Sequence, residues 1–152
     1  MDAPSEGNLD LYLRELKRYK VTDLVRVCDP TYPREAVERV GIKVHEMLFP
    51  DGDGPPESIV SAWLALVNSR FKVPQEDQPT DEGGTIAVHC VAGLGRAPVL
   101  VAIALIEAGM GCLDAVTFLR KRRRGAINNK QLRFLESYKR RSGSSASQCL
   151  IM

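Results

Sequence analysis

The 152-residue chain is 44% hydrophobic and 26% charged with a formal net charge of +2, the balance of a globular domain with its own core rather than of a disordered or strongly polyionic chain. No apolar run approaches the ~20 residues of a membrane span, no secretory leader opens the chain, and the four cysteines, at 28, 90, 112 and 149, lack the paired spacing of a metal site. The reading is one cytosolic domain without metal or cofactor, with its basic residues gathered late and nothing that points to nucleic acid.

Residues 1–8 are polar and expected to be disordered. Leu9, Leu13 and Leu16, with charges between them, then predict an amphipathic helix, and residues 21–28 a strand. Pro33 starts a short helix that Gly41 ends, and residues 42–48 supply a second strand. Residues 57–71 read as a helix with Ile59, Trp63, Leu66 and Val67 on one face, followed by a polar, proline-bearing linker over 73–84. A third strand covers 84–88, and Pro98 opens a helix through Ile106. Leu113, Val116 and Leu119 mark another helix, and residues 128–141 a last one through Leu132, Leu135 and Tyr138. Strands separated by helices predict an α/β fold, a largely parallel central sheet flanked by helices.

The chemistry concentrates in His89-Cys90-Val91-Ala92-Gly93-Leu94-Gly95-Arg96, between the third strand and its helix. A strand, a glycine turn and a helix N-terminus form an anion site, because the amides of residues 91–96 can point inward while the helix dipole favours negative charge. A thiol among such N–H groups, beside a guanidinium, is stabilised as the thiolate, so Cys90 reads as a nucleophile. Arg96 can hold two oxygens of a phosphoryl group with its planar fork. Gly93 and Gly95 permit left-handed backbone and close approach. At the other end, Cys149-Leu150-Ile151-Met152 is a C-a-a-X sequence that favours farnesylation of Cys149. A small-residue tail over 142–147 exposes it, and Lys139-Arg140-Arg141 supply the basic second signal for an anionic leaflet.

The spacing C-x-x-x-x-x-R after a histidine resembles the signature of the cysteine-dependent protein tyrosine phosphatases. The longer string HCVAGLGRAPVLVAIALIEAGM closely resembles the phosphatase-of-regenerating-liver (type IVA) subfamily, and the likeness runs from about Leu11 to Tyr138 through LKRYKVTDLVRVC, DGDGPP and RRGAINNKQLRFLE. It implies a dual-specificity-type phosphatase domain over 9–141 and a slowly hydrolysed phosphocysteine. It also implies a general acid in the loop Phe49-Pro50-Asp51-Gly52-Asp53-Gly54-Pro55-Pro56: Asp51 is the first choice and Asp53 the reserve, since relatives carry adjacent acids in a loop one residue shorter. Ala97 stands where most of the superfamily has Ser or Thr, whose hydroxyl helps the thiolate leave. The resemblance further implies a reversible disulfide between Cys28 and Cys90, and Arg124 as a contact for magnesium transport mediators that contain paired CBS domains. Asn128 and Gln131 match polar positions near the family's pocket. The implied substrate is a phosphorylated protein or a phosphoinositide, and the implied place is the cytoplasmic face of the plasma membrane and endosomes. Subfamily members have two further strands before the helix near Leu9, so by this resemblance the chain is shortened at its N-terminus, and the exposed sheet edge and apolar face imply lower stability, self-association through that surface or a shortened isoform.

Overall fold

The computed structural model describes residues 1–71 and 84–141. Helices and strands alternate up to β3 and three helices follow: α1 (Leu9–Arg18), β1 (Val21–Arg26), α2 (Arg34–Glu38), β2 (Lys43–Glu46), α3 (Glu57–Arg70), β3 (Thr85–His89), α4 (Arg96–Glu107), α5 (Cys112–Arg122) and α6 (Asn129–Ser137). The linker expected over 73–84, apart from Gly84, and the tail with Cys149 lie outside the described residues.

The three strands form one parallel sheet in the order β2-β1-β3. β1 is central and covered on both faces, which is why it is buried at consecutive positions, Asp23 to Arg26, rather than at alternate ones. Leu24 joins a cluster with Leu9, Leu16 and Val37 from α1 and α2, whereas Val25 faces the larger cluster of Trp63, Val99, Leu100 and Ile103 from α3 and α4. Helices therefore cover both faces, as the alternating pattern predicts. Trp63 ties α3 to α4 by donating its indole N–H to the Leu100 carbonyl at 2.7 Å, deep in the core.

At the rim of the sheet, Asp23 is fully buried and carries a concentrated set of bonds. It accepts from Arg70 Nε (2.7 Å) and Nη2 (3.1 Å), from Thr22 Oγ1 (2.7 Å) and from His45 Nε2 (2.9 Å), linking β1 to the end of α3 and to β2. These donors hold its carboxyl down at about 2, against the burial that would raise it.

Three expectations change. The first eight residues are not loose: the Met1 amino group donates to the Val88 carbonyl (2.9 Å), the Ala3 N–H to the Val91 carbonyl (2.9 Å), and Pro4 is buried under Thr31. Main-chain groups at the edge of β3 accept any partner with a free N–H, so a polar octet suffices. Leu113, expected in an apolar stripe, is 65% exposed, and Ala115 and Val116 form the buried face of α5 instead. The last helix stops at Ser137 because Tyr138 turns to extended backbone, from where its hydroxyl donates to Glu107. Beyond it, Arg140 donates to the Glu107 carbonyl and Arg141 pairs with Glu57, so two of the three cations expected to face a leaflet are engaged by the domain itself.

Candidate active site

The carboxyl ends of β1 and β3 meet at one crevice, the place where open parallel sheets bind ligands. Here β3 ends at His89, a loop runs over 90–95, and α4 begins at Arg96, so the helix N-terminus points its unpaired amides at the loop's centre. Cys90 is buried at the floor, and the Gly93 N–H donates to its sulfur at 3.2 Å. Gly93 has φ +72°, and a Cβ there would lie 2.6 Å from the Met1 carbonyl carbon, so both conformation and space require glycine.

What aims the loop's amides is how its carbonyls are held. In a trans peptide the C=O of one residue and the N–H of the next point in opposite directions, so a carbonyl tied outward leaves an amide facing inward. The Val91 carbonyl accepts from the Ala3 N–H, the Ala92 carbonyl from Arg123 Nη2 (3.1 Å), and the Leu94 carbonyl from the Ile127 N–H (2.7 Å). The amides of Ala92, Gly93 and Gly95 are thereby turned the other way, that of Gly93 onto Cys90. Ile127 makes its bond from φ +66°, a conformation that a β-branched residue adopts only under constraint.

The Cys90 carbonyl is held by His89. Burial pushes this histidine down to about 4 and the Tyr32 hydroxyl up to about 12, so at neutral pH the imidazole is uncharged and the phenol protonated. Tyr32 then donates to Nε2 (2.6 Å), which leaves the ring proton on Nδ1, 3.2 Å from the Cys90 carbonyl and 3.8 Å from the Cys28 sulfur. Cys28 is buried, a free thiol beside the same imidazole, and burial pushes it up while Arg96 pulls it down. Cys112 lies apart on α5 as a half-buried free thiol.

Arg96 spans the crevice. Its Nη1 donates to the Val27 carbonyl (3.1 Å) and the Phe49 carbonyl (3.3 Å), which ties the end of β1 and the start of the acidic loop to α4, and its Nε lies 3.5 Å from Asp51 Oδ1. Asp51 and Asp53 part company here. Asp51 faces Arg96 and Cys90 across a cleft of about 310 Å³, while Asp53 pairs with Lys130 on α6. The loop is fastened to α6 by Asn128 Nδ2 to the Gly52 carbonyl (3.2 Å) and Gln131 Nε2 to the Asp53 carbonyl (3.4 Å), and Gly54 sits against the Phe134 ring. Asn128 and Gln131 also make a reciprocal capping box at the start of α6, so the residues that begin the helix are those that hold the loop.

The sequence placed Cys90, Arg96, Asp51, Asn128 and Gln131, and all of them border this cleft. It assigned nothing to Tyr32, Ala3, Arg123 or Ile127. Arg124 is exposed, next to Gly125 at the rim of the cleft.

A phosphate-sized nest of inward amides over a buried thiol, with an arginine and a carboxylate at its mouth, defines a cysteine phosphatase. A sequence model of the family described as protein-tyrosine phosphatase matches residues 15–138. A probable protein tyrosine phosphatase type IVA A of Dictyostelium discoideum is 52% identical over 151 residues, 99% of this chain and 85% of its own. The protein tyrosine phosphatase type IVA 2 of Mus musculus is 53% identical over 136 residues, 90% of this chain and 77% of its own. A solved protein tyrosine phosphatase from Leishmania major superposes with a TM-score of 0.82 at 47% identity, covering 92% of this chain and 86% of that one. The chain belongs to the protein tyrosine phosphatases, and within them to the type IVA, regenerating-liver group.

Proposed function

We propose that this phosphatase works through a phosphorylated Cys90 that breaks down slowly. The Cys90 thiolate attacks phosphorus, forming an S–P bond as the ester P–O bond breaks, and Asp51 gives its proton to the departing oxygen. Water then attacks the phosphocysteine, Asp51 takes a proton from it, and inorganic phosphate leaves as the thiolate reforms. The inward amides of the 91–95 loop and Arg96 stabilise the charge on the equatorial oxygens in both steps. The observation that carries this reading is the Gly93 N–H on the Cys90 sulfur, at the base of the same cleft into which Asp51 and Arg96 face.

Ala97 is buried in the first turn of α4 and offers no hydroxyl to the departing sulfur, which supports the slow second step. A long-lived phosphocysteine also suits a second role, as a membrane-tethered regulator of magnesium transport mediators, with Arg124 at the cleft rim as the partner contact. In this reading Cys149 carries the farnesyl anchor that keeps the protein at the cytoplasmic face of the plasma membrane and endosomes. Cys28, with its sulfur near the His89 N–H, closes a disulfide on Cys90 under peroxide.

Intact-protein mass spectrometry after a pulse of a phosphotyrosine analogue tests the core of this. One phosphoryl group should appear on wild type in a burst, decay at the rate of steady-state turnover and be missing in Cys90→Ser. Asp51→Asn should slow its formation at least ~10-fold, and Asp53→Asn much less. The reverse order of the two aspartates would assign the acid to Asp53.

A further inference from the structure

Residues 120–124 form a run of five cations that, by charge alone, is a solvated helix end complementing the dipole. Its members do different things. Arg120 donates to the Ala126 and Ile127 carbonyls, and Arg122 lies 3.7 Å over the Phe118 ring. At Arg123 the backbone leaves the helix for extended geometry, and its guanidinium reaches 31 residues back to the Ala92 carbonyl.

That carbonyl belongs to the peptide unit whose other end is the Gly93 N–H on the Cys90 sulfur. We propose that Arg123 is a positioning residue for catalysis: by holding the Ala92 carbonyl outward it keeps the Gly93 amide turned onto the sulfur and the phosphoryl oxygens. The neighbouring carbonyls of Val91 and Leu94 are held by main-chain N–H groups. The His89 side chain holds the Cys90 carbonyl, and Arg123 supplies the second side-chain bond in a set otherwise made of main-chain ones. Gly93 is also the loop residue with φ +72°, and glycine is the residue for which a turn of the flanking peptide meets least steric resistance. A plane hinged on glycine needs a fastening, and a charged donor makes a stronger one than a neutral amide. The proposal deepens the reading of Cys90 as nucleophile and rests on it for its kinetic consequence, though not for the geometry.

The test uses the full chain with Arg123→Gln, Arg123→Lys and, as a charge-matched control from the same run, Lys121→Gln. Two rates are read: alkylation of Cys90 by iodoacetamide across pH 5–8, and single-turnover formation of phospho-Cys90 from p-nitrophenyl phosphate. Arg123→Gln should slow both about fivefold, as expected for losing one charge-assisted hydrogen bond at a partly solvated position. Arg123→Lys should recover part of the loss, and Lys121→Gln should stay within twofold of wild type. If Arg123→Gln stays within twofold of wild type, or if 0.5 M salt erases the difference between them, the proposal fails, the latter because a through-space charge would then suffice. A wild type that alkylates normally but forms no phosphocysteine would overturn the catalytic reading instead, while the alkylation ratio still decides the role of Arg123.

Discussion

Replacing Asp23 by asparagine removes the charge at the centre of the cluster that joins β1, β2 and α3. The magnitude follows from the carboxyl itself, which drops from 3.8 in the free state to about 2 in the fold. At about 1.4 kcal/mol per unit this is worth about 2–3 kcal/mol of stability near neutral pH. The group is fully buried, so solvent screening takes little from that figure. Arg70 is 30% exposed, so its charge stays within reach of water when the carboxylate is replaced, which keeps the total loss in Asp23→Asn at about 2–3 kcal/mol rather than the larger values of fully buried pairs. The sign is fixed by the direction of the shift. A carboxyl lowered on folding stabilises fully above its unfolded value, and that stability fades as pH falls through 3.8 toward 2. Urea unfolding of both proteins at pH 7, 5 and 3 reads it as a difference, in which titrating groups that do not touch Asp23 cancel. The gap should be constant from pH 7 to 5 and narrower by ~1 kcal/mol at pH 3. A gap that stays constant down to pH 3, or one that widens, would refute the electrostatic account.

Other outcomes follow from the site. Ala97→Ser should raise steady-state turnover several-fold by restoring a donor to the leaving sulfur while leaving the burst rate close to wild type; unchanged turnover in a phosphate-release assay would count against a slow second step. A Cβ at position 54 would lie 2.4 Å from the Phe134 ring, so Gly54→Ala should push the acidic loop off α6 and lower kcat at least ~3-fold with less effect on KM, as steady-state kinetics would show. His89 is uncharged in the fold and shifted from 6.5 to about 4, the opposite case to a histidine that gains an anion. Its contribution is present above 6.5 and lost as pH falls to 4, about 3 kcal/mol in all, so wild-type urea midpoints should drop steeply across that window; a flat profile would mean that the imidazole is solvated.

Much of this was legible in the sequence for definite reasons. Leu24 and Val25 stand side by side in the central strand because a sheet covered on both faces buries consecutive positions, and a thiol, two glycines and an arginine at fixed spacing answer separate demands of one reaction. Where the reading went astray, the deciding bonds were ones that no side-chain pattern encodes. The helix behind the nucleophile starts at Arg96, two residues before the proline taken as its opening, because the first helical N–H groups lack partners within the helix and a proline fits anywhere in that turn. The N-terminal octet is ordered through main-chain groups, to which sequence is nearly indifferent. In the run of cations, only geometry distinguishes the arginine that reaches the loop. The two aspartates of the acidic loop are separated by Lys130, nearly eighty residues downstream, a pairing invisible until the chain is folded.

Trp63 is the chain's one tryptophan, and its indole N–H is bonded to the backbone of the helix whose first residue is Arg96. The enzyme thus carries its own optical probe. Any shift of α4 against α3, whether from phosphorylation of Cys90, from peroxide or from a docked partner, would alter the emission of a single, solvent-shielded fluorophore. A state of the nucleophile that moves α4 against α3 can therefore be followed in real time on unlabelled protein.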